Sequence, residues 1–209
     1  MSNYWKNVWT GVEVNDYKKY INLNFDYNFI DIFKQNNISH ICDAACGFGK
    51  YSVILSKNNF KVSGFDISEE AVNLTKDMLN YFGLKFMDFC VCSITDIRYQ
   101  DEYFDGAIAH AVIDHLKTTE AIKALNELFR ITKKNGLIYL SFDGLEDDDL
   151  EISHEVLEDG SFKYLDDIRK DMIFKYYINE EIKKLIIGKE ILYFNTKKTG
   201  EREMILRKK

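Results

Sequence analysis

Apolar positions along the chain alternate between two spacings. Between residues 38 and 142, short runs of continuous or alternating apolar character are each followed by apolar residues three and four apart. The runs "ISHICDA" (38–44), "FKVSGFDIS" (60–68), "KFMDFCVCSI" (85–94), "FDGAIAHAVI" (104–113) and "GLIYLSF" (136–142) predict five strands. "GKYSVILSKNN", "EEAVNLTKDMLNYF" and "EAIKALNELFRITKKN" predict helices between them. Helix punctuation agrees: Ser68 stands as an N-cap and Gly83 as a stop, with Thr118 or Thr119 capping the third helix and Gly136 ending it. Strands alternating with helices of this length build a parallel sheet covered on both faces.

The flanks follow other rhythms. Residues 1–37 carry aromatics and aliphatics at helical spacing and read as a helical lead-in. "ISHEVLEDGSFKYL" reads as a hairpin turning at Asp159-Gly160, "NEEIKKLI" as a helix from Asn179, and the last stretch as two strands joined by a tight turn at Gly200. At 209 residues the chain suits one domain. Its parts are the lead-in (1–37), an α/β core (38–142), an insertion (143–178) and a C-terminal helix with β-hairpin (179–209).

Charge and composition narrow the function classes. Of the net charge of −6, residues 143–172 hold 12 Asp/Glu against 3 Lys/Arg, or −9, leaving +3 elsewhere. No basic face emerges, which argues against a nucleic-acid partner. Nothing resembles a membrane span or a secretion signal, so a cytoplasmic protein, monomer or homodimer, is expected. Cys42, Cys46, Cys90 and Cys92 lack paired CxxC spacing and read as reduced, space-filling thiols, so no metal site is expected. Proline is absent, which excludes any catalytic motif that requires one.

The densest chemistry lies in "DAACGFG" (43–49), the turn between the first strand and its helix. In a doubly wound sheet the ligand lies over this turn. Gly47 and Gly49 permit close approach of a ligand to the backbone, and Asp66, nineteen residues after Gly47, ends the second strand where both hydroxyls of a ribose can bond to it. An adenosine-type ligand follows. A dinucleotide needs G-x-G-x-x-G/A, and Ser52 stands at the third position. Asp43 would also repel a pyrophosphate, whereas it suits the cationic amino-acid tail of S-adenosylmethionine.

On these residues the chain resembles the class I S-adenosylmethionine-dependent methyltransferases, especially small stand-alone enzymes of the methyltransferase type 11/25 domain kind. "DAACGFG" matches their D-x-G-x-G-x-G, with Ala45 where a glycine is usual, and "GFDIS" matches their ribose-binding acid. The resemblance implies a Rossmann-like, doubly wound, seven-stranded sheet, mostly parallel with an antiparallel last strand, in three α/β/α layers. It implies S-adenosylmethionine as cofactor, held by Asp43, Ala45, Cys46, Gly47, Gly49 and Asp66, with Ile67 beneath the adenine. Ser93 takes the place of the acid that contacts the adenine amine and Ile94 flanks the ring; with a slipped register the contact is Asp96 or Asp88.

Methyl transfer from a sulfonium is an in-line displacement in which alignment does most of the work. The acceptor belongs beyond strand four, at "AHAVIDH", where Ala109 and His110 border the methionine part. His110 is the candidate catalytic base, with a contact or plain packing as its other readings; His115 reads as a structural cap and Asp114 as solvated. Two segments can build the acceptor pocket. The lead-in offers Tyr4, Trp5, Trp9, Tyr17 and Tyr20, of which Trp9 and Tyr20 are taken as cofactor contacts under a lid of residues 1–22. The insertion offers Phe162, Tyr164, Tyr176 and Tyr177, whose rings beside acids suit a small-molecule amine. The resulting expectation is a methyltransferase acting on a small molecule, with a protein- or RNA-directed enzyme, a non-catalytic cofactor binder and an NAD-dependent oxidoreductase as rivals.

Overall fold

In the computed structural model the described residues are 4–21 and 27–209. Residues 1–3 and 22–26 of the expected lead-in and lid lie outside the described residues. The lead-in is broken into α1 (Tyr4–Asn7), α2 (Val14–Tyr17), a 3-10 turn (Lys18–Tyr20) and α3 (Asn28–Gln35), with Gly11 at φ +74° between the first two. The core alternates as its apolar pattern requires: β1 (His40–Ala44), α4 (Lys50–Lys57), β2 (Lys61–Asp66), α5 (Glu69–Tyr81), β3 (Phe89–Val91), β4 (Phe104–Ala109), α6 (Thr118–Ile131) and β5 (Thr132–Phe142). Then come α7 (Asp147–Glu151), β6 (His154–Val156), β7 (Phe162–Tyr164), β8 (Ile173–Phe174), α8 (Asn179–Leu185), β9 (Glu190–Thr196) and β10 (Arg202–Arg207).

The main sheet has seven strands in the order β3-β2-β1-β4-β5-β10-β9, with β10 antiparallel to both neighbours. It is the Rossmann-like, doubly wound sheet expected. Alternation along each strand divides the core between the two faces. Ile41, Val62, Ile108 and Tyr139 pack with α3, α4 and α5; Cys42, Phe65, Ala107 and Leu140 pack with α6 and α8. Strand order reverses at β1, between β2 and β4, which opens a crevice at the carboxyl ends of these strands. Asp105 ties the other end, its Oδ2 accepting the backbone N–H of Ser39 (3.2 Å) and His40 (2.8 Å).

Several local expectations change. Gly136 does not end α6. The helix passes straight into β5 at Thr132, whose Oγ1 donates to the Leu128 carbonyl (2.7 Å). Gly136 is needed for a close approach, since a Cβ there would lie 2.5 Å from the Asp105 carbonyl oxygen. Neither Thr118 nor Thr119 caps α6: Lys117 is the N-cap residue, and Asp159 Oδ2 accepts the Thr118 N–H (2.6 Å) from across the chain. Ser68 does cap α5, accepting the Ala71 N–H (3.3 Å). The expected hairpin forms as β6 and β7, and β8 adds a third strand to it.

Candidate active site

The turn after β1 is folded by its own geometry and by α5. Ala45 (φ +58°), Gly47 (φ +53°) and Gly49 (φ +84°) occupy the left-handed region, which costs an alanine about 1–2 kcal/mol. The two glycines answer different neighbours. A Cβ on Gly49 would stand 3.0 Å from Thr75 Cα, so this glycine lets the turn pack on α5. Thr75 Oγ1 then donates to the Gly47 carbonyl (2.9 Å). A Cβ on Gly47 would stand 3.2 Å from Trp9 Cζ2, so this glycine faces the lead-in.

Two buried carboxylates meet below the turn. Asp66 Oδ2 accepts the Gly47 N–H and Oδ1 accepts the Ser68 N–H, both at 3.0 Å, which ties the turn to the end of β2. Each oxygen keeps a further lone pair for an outside donor. Burial raises the Asp66 carboxyl above its ordinary value, opposed by those backbone donors. Asp43 Oδ2 accepts the Ser52 hydroxyl (2.5 Å), and burial pushes its carboxyl up to about 7, with nearby Asp66 adding to the rise. Ser52 is therefore the partner of Asp43, which its reading as a missing glycine did not reveal.

Above these groups lies a cavity of about 330 Å³, within the range of small-ligand sites. Of the residues singled out from the sequence, Asp43, Ala45, Cys46, Gly47, Asp66, Ile67, Ile94, His110 and Trp9 line it. Gly49, Ser93, Ala109 and Tyr20 do not. Gly49 is turned to α5, and Ala109 is buried among the side chains on the α6 side. The Ser93 hydroxyl bonds to Thr95 Oγ1 (2.8 Å) and accepts the Thr95 N–H (3.1 Å), serving its own turn. Tyr20 is 56% exposed, its ring 5.8 Å from that of Tyr17.

The lead-in reaches the cavity through two indoles. Trp9 lies against Tyr17 (5.6 Å between rings) and Phe48 (6.1 Å), over the glycine turn, while Trp5 packs edge-on against His115 (4.8 Å). Tyr51, at the start of α4, completes the wall, its ring 4.4 Å from His110. Its place directly after the glycine turn was the available signal for it. Burial, then the charges of Lys50 and Lys197, lowers the His110 imidazole to about 3, so it is neutral at pH 7.

The insertion is built differently from its sequence reading. Phe162, Tyr164, Tyr176 and Tyr177 do not line the cavity, and Tyr164 and Tyr177 are fully buried. The small sheet packs instead on the β4–α6 connection. Lys175 N–H donates to the Asp114 carbonyl (2.7 Å), and His115 Nδ1 lies 3.0 Å from the Ile173 carbonyl oxygen. His115 is thus a cavity residue held by β8, not a helix cap. Asp114 is fully buried, not solvated, with Oδ2 accepting the Asp143 N–H (2.7 Å).

The cavity fits S-adenosylmethionine better than a dinucleotide. It offers two buried carboxyl groups as acceptors within aromatic walls, matching an ammonium, ribose hydroxyls and a sulfonium. A pyrophosphate would face the same two carboxylates. No helix among the described residues is long and apolar enough to cross a membrane.

Comparison with known proteins agrees. Residues 42–140 match the family described as "Methyltransferase domain". A tRNA (carboxymethyluridine(34)-5-O)-methyltransferase of Arabidopsis thaliana is 32% identical over 115 residues, covering 54% of this chain and 26% of that protein. YqeM of Bacillus subtilis (strain 168) is 28% identical over 100 residues, covering 47% of this chain and 40% of that one. The chain therefore spans less than half the length of these curated relatives. Among solved structures, a SAM-dependent methyltransferase from Methanosarcina mazei superposes with a TM-score of 0.73 at 25% identity, over 88% of this chain and 98% of that one. The matched segment, just under half of the chain, runs from β1 to β5 and contains the glycine turn, both carboxylates and His110, and over it the chain carries the methyltransferase domain that uses S-adenosylmethionine.

Proposed function

We propose that the protein transfers a methyl group from S-adenosylmethionine to a small-molecule acceptor enclosed beneath Trp5 and Trp9. The observation that carries this reading is the pair of indoles from the lead-in, which line the cavity together with the glycine turn and β4. When bound, S-adenosylmethionine supplies an electrophilic methyl carbon on a sulfonium. Asp66 accepts the ribose hydroxyls on its spare lone pairs, and Ile67 and Ile94 flank the adenine. Asp43, steadied by Ser52, faces the ammonium. Trp9, Tyr51 and Phe48 line the cavity with aromatic rings, which favour the positive sulfonium. Trp5 and Trp9 exclude water from the reacting centre, and the rigid ends of β1 and β4 set the alignment on which the displacement depends. His110 serves as a neutral contact on the acceptor side. A base near 3 has little drive to take a proton at pH 7, so an acceptor that arrives already deprotonated or as a free lone pair suits this site.

A second reading, a nucleoside of tRNA as acceptor, is favoured by the name of the Arabidopsis relative. Against it stand the net charge of −6 and the acidic insertion, which repel a polyanion. One screen separates the two: the full chain with S-adenosylmethionine, assayed for release of the demethylated cofactor with small amines, thiols, phenols and carboxylates in one arm and bulk tRNA in the other. Turnover confined to the small-molecule arm is expected. Turnover with tRNA alone would overturn the small-molecule assignment.

A further inference from the structure

We propose that Asp114, His115 and Asp143 form a binding site for a borderline divalent cation such as Mn²⁺ or Zn²⁺, beside the cavity. The sequence carries no sign of it. Asp114 and His115 follow β4 and Asp143 follows β5, so two neighbouring parallel strands bring them together at their carboxyl ends. Each of the three offers a donor atom within 4.8 Å of the others.

Three features distinguish the cluster from an ordinary acidic patch. Asp114 is fully buried, and while its Oδ2 accepts the Asp143 N–H, its Oδ1 is buried with no hydrogen-bond partner among the described residues. A buried carboxylate oxygen left unmatched is costly, and a cation removes that cost. The tautomer of His115 is also set. The Ile173 carbonyl at 3.0 Å can only accept, so Nδ1 carries the hydrogen, and in the neutral imidazole the lone pair is left on Nε2, 4.0 Å from Asp143 Oδ2. A histidine that donates one ring N–H to a backbone carbonyl while its other nitrogen faces carboxylates is arranged as a metal ligand. Finally, among the described residues no lysine or arginine forms an ion pair with Asp114 or Asp143. Arg202, whose positive charge acts on the Asp114 carboxyl, has its Nη1 and Nη2 bonded to the Gly200 and Tyr177 carbonyls.

One imidazole nitrogen and two carboxylates suit Mn²⁺ or Zn²⁺ better than Ca²⁺, which prefers six to eight oxygens. Ligand oxygens and nitrogens around Zn²⁺ sit about 2.0–2.2 Å from the ion, so the cluster must contract on binding. The Asp143 side chain, 43% exposed, has room to make that movement, and water completes the coordination from the same side.

The test uses the full chain stripped with a chelator and dialysed, then titrated with Mn²⁺ or Zn²⁺ separately in a calorimeter, with Mn²⁺ followed also by electron paramagnetic resonance. One ion per chain is expected, weakened about tenfold or more in Asp143→Asn and in His115→Ala. Binding of the demethylated cofactor is measured on the same samples. It should persist in Asp143→Asn, which shows that the variant is folded and keeps the methyl-transfer reading separate from this one. Absence of saturable binding of either ion, or undiminished binding in both variants, would overturn the proposal.

Discussion

Replacing Asp43 by Asn should stabilise the free protein at pH 8 relative to its effect at pH 4, while weakening the cofactor. The substitution keeps the shape and an oxygen to accept the Ser52 hydroxyl, and removes the charge. In the folded chain burial lifts the Asp43 carboxyl from 3.8 to about 7, which corresponds to about 4 kcal/mol. The sign follows from proton counting. Between these values the folded state holds a proton that the unfolded state has released, so the contribution of Asp43 to stability falls as pH rises from 3.8 and reaches its full cost above 7. Asn carries no such cost. Any pH-independent penalty for burying its amide cancels when the variant is compared with the parent across pH. Urea unfolding of both proteins from pH 4 to pH 8 should therefore show the variant gaining about 4 kcal/mol on the parent. Cofactor binding should move the other way. The parent's affinity should rise with pH up to about 7 as Asp43 ionises to face the ammonium, with a proton released on binding below that pH. The variant should bind about 1.5–3 kcal/mol more weakly at pH 8 and lose the pH dependence. A stability difference between parent and variant that stays constant from pH 4 to pH 8 would refute the reasoning, because Asp43 would then titrate alike in folded and unfolded chains.

Asp66→Ala should weaken the demethylated cofactor by about 1.5–3 kcal/mol in a calorimetric titration. It should also lower the melting temperature, because the Gly47 and Ser68 N–H groups lose their acceptor; unchanged affinity would put the ribose elsewhere. His110→Gln should leave the pH dependence of kcat without a lost inflection between pH 5 and 8, since the imidazole is already neutral there. A parent inflection near pH 6–7 that vanishes in the variant would restore the base role.

What could be read from the sequence was what neighbours along the chain determine. Periodicities of two and three to four residues located β1, β2, β4, β5 and the helices between them, because each strand buries alternate side chains on opposite faces and each helix buries one stripe. The glycine turn and Asp66 were legible for a similar reason, since a fixed count along one strand–helix–strand unit sets their separation in space. Element ends were less so. Gly136 looked like a helix stop because its reason for being glycine, the Asp105 carbonyl, lies 31 positions away. Trp9 and Gly47 meet across 38 positions, and nothing local announces the contact.

The acidic insertion carries the clearest lesson about charge. Counted along the chain, residues 143–172 look like a solvated face, and the rings among them look like a cage for a cation. In three dimensions individual acids are committed. Asp159 accepts the N–H that opens α6 and, through Oδ1, the N–H and hydroxyl of Ser161. Asp149 accepts the Tyr164 hydroxyl and pairs with Arg169. These contacts draw Tyr164 inward and hold β6, β7 and β8 against the β4–α6 connection, which is how His115 comes to be fixed by β8 at the edge of the cavity. The insertion therefore acts on the site through the residues it braces, and its aromatics are spent on that bracing. A total of charges cannot distinguish an acid that faces water from one that caps a helix, because the difference lies in which N–H stands opposite each oxygen.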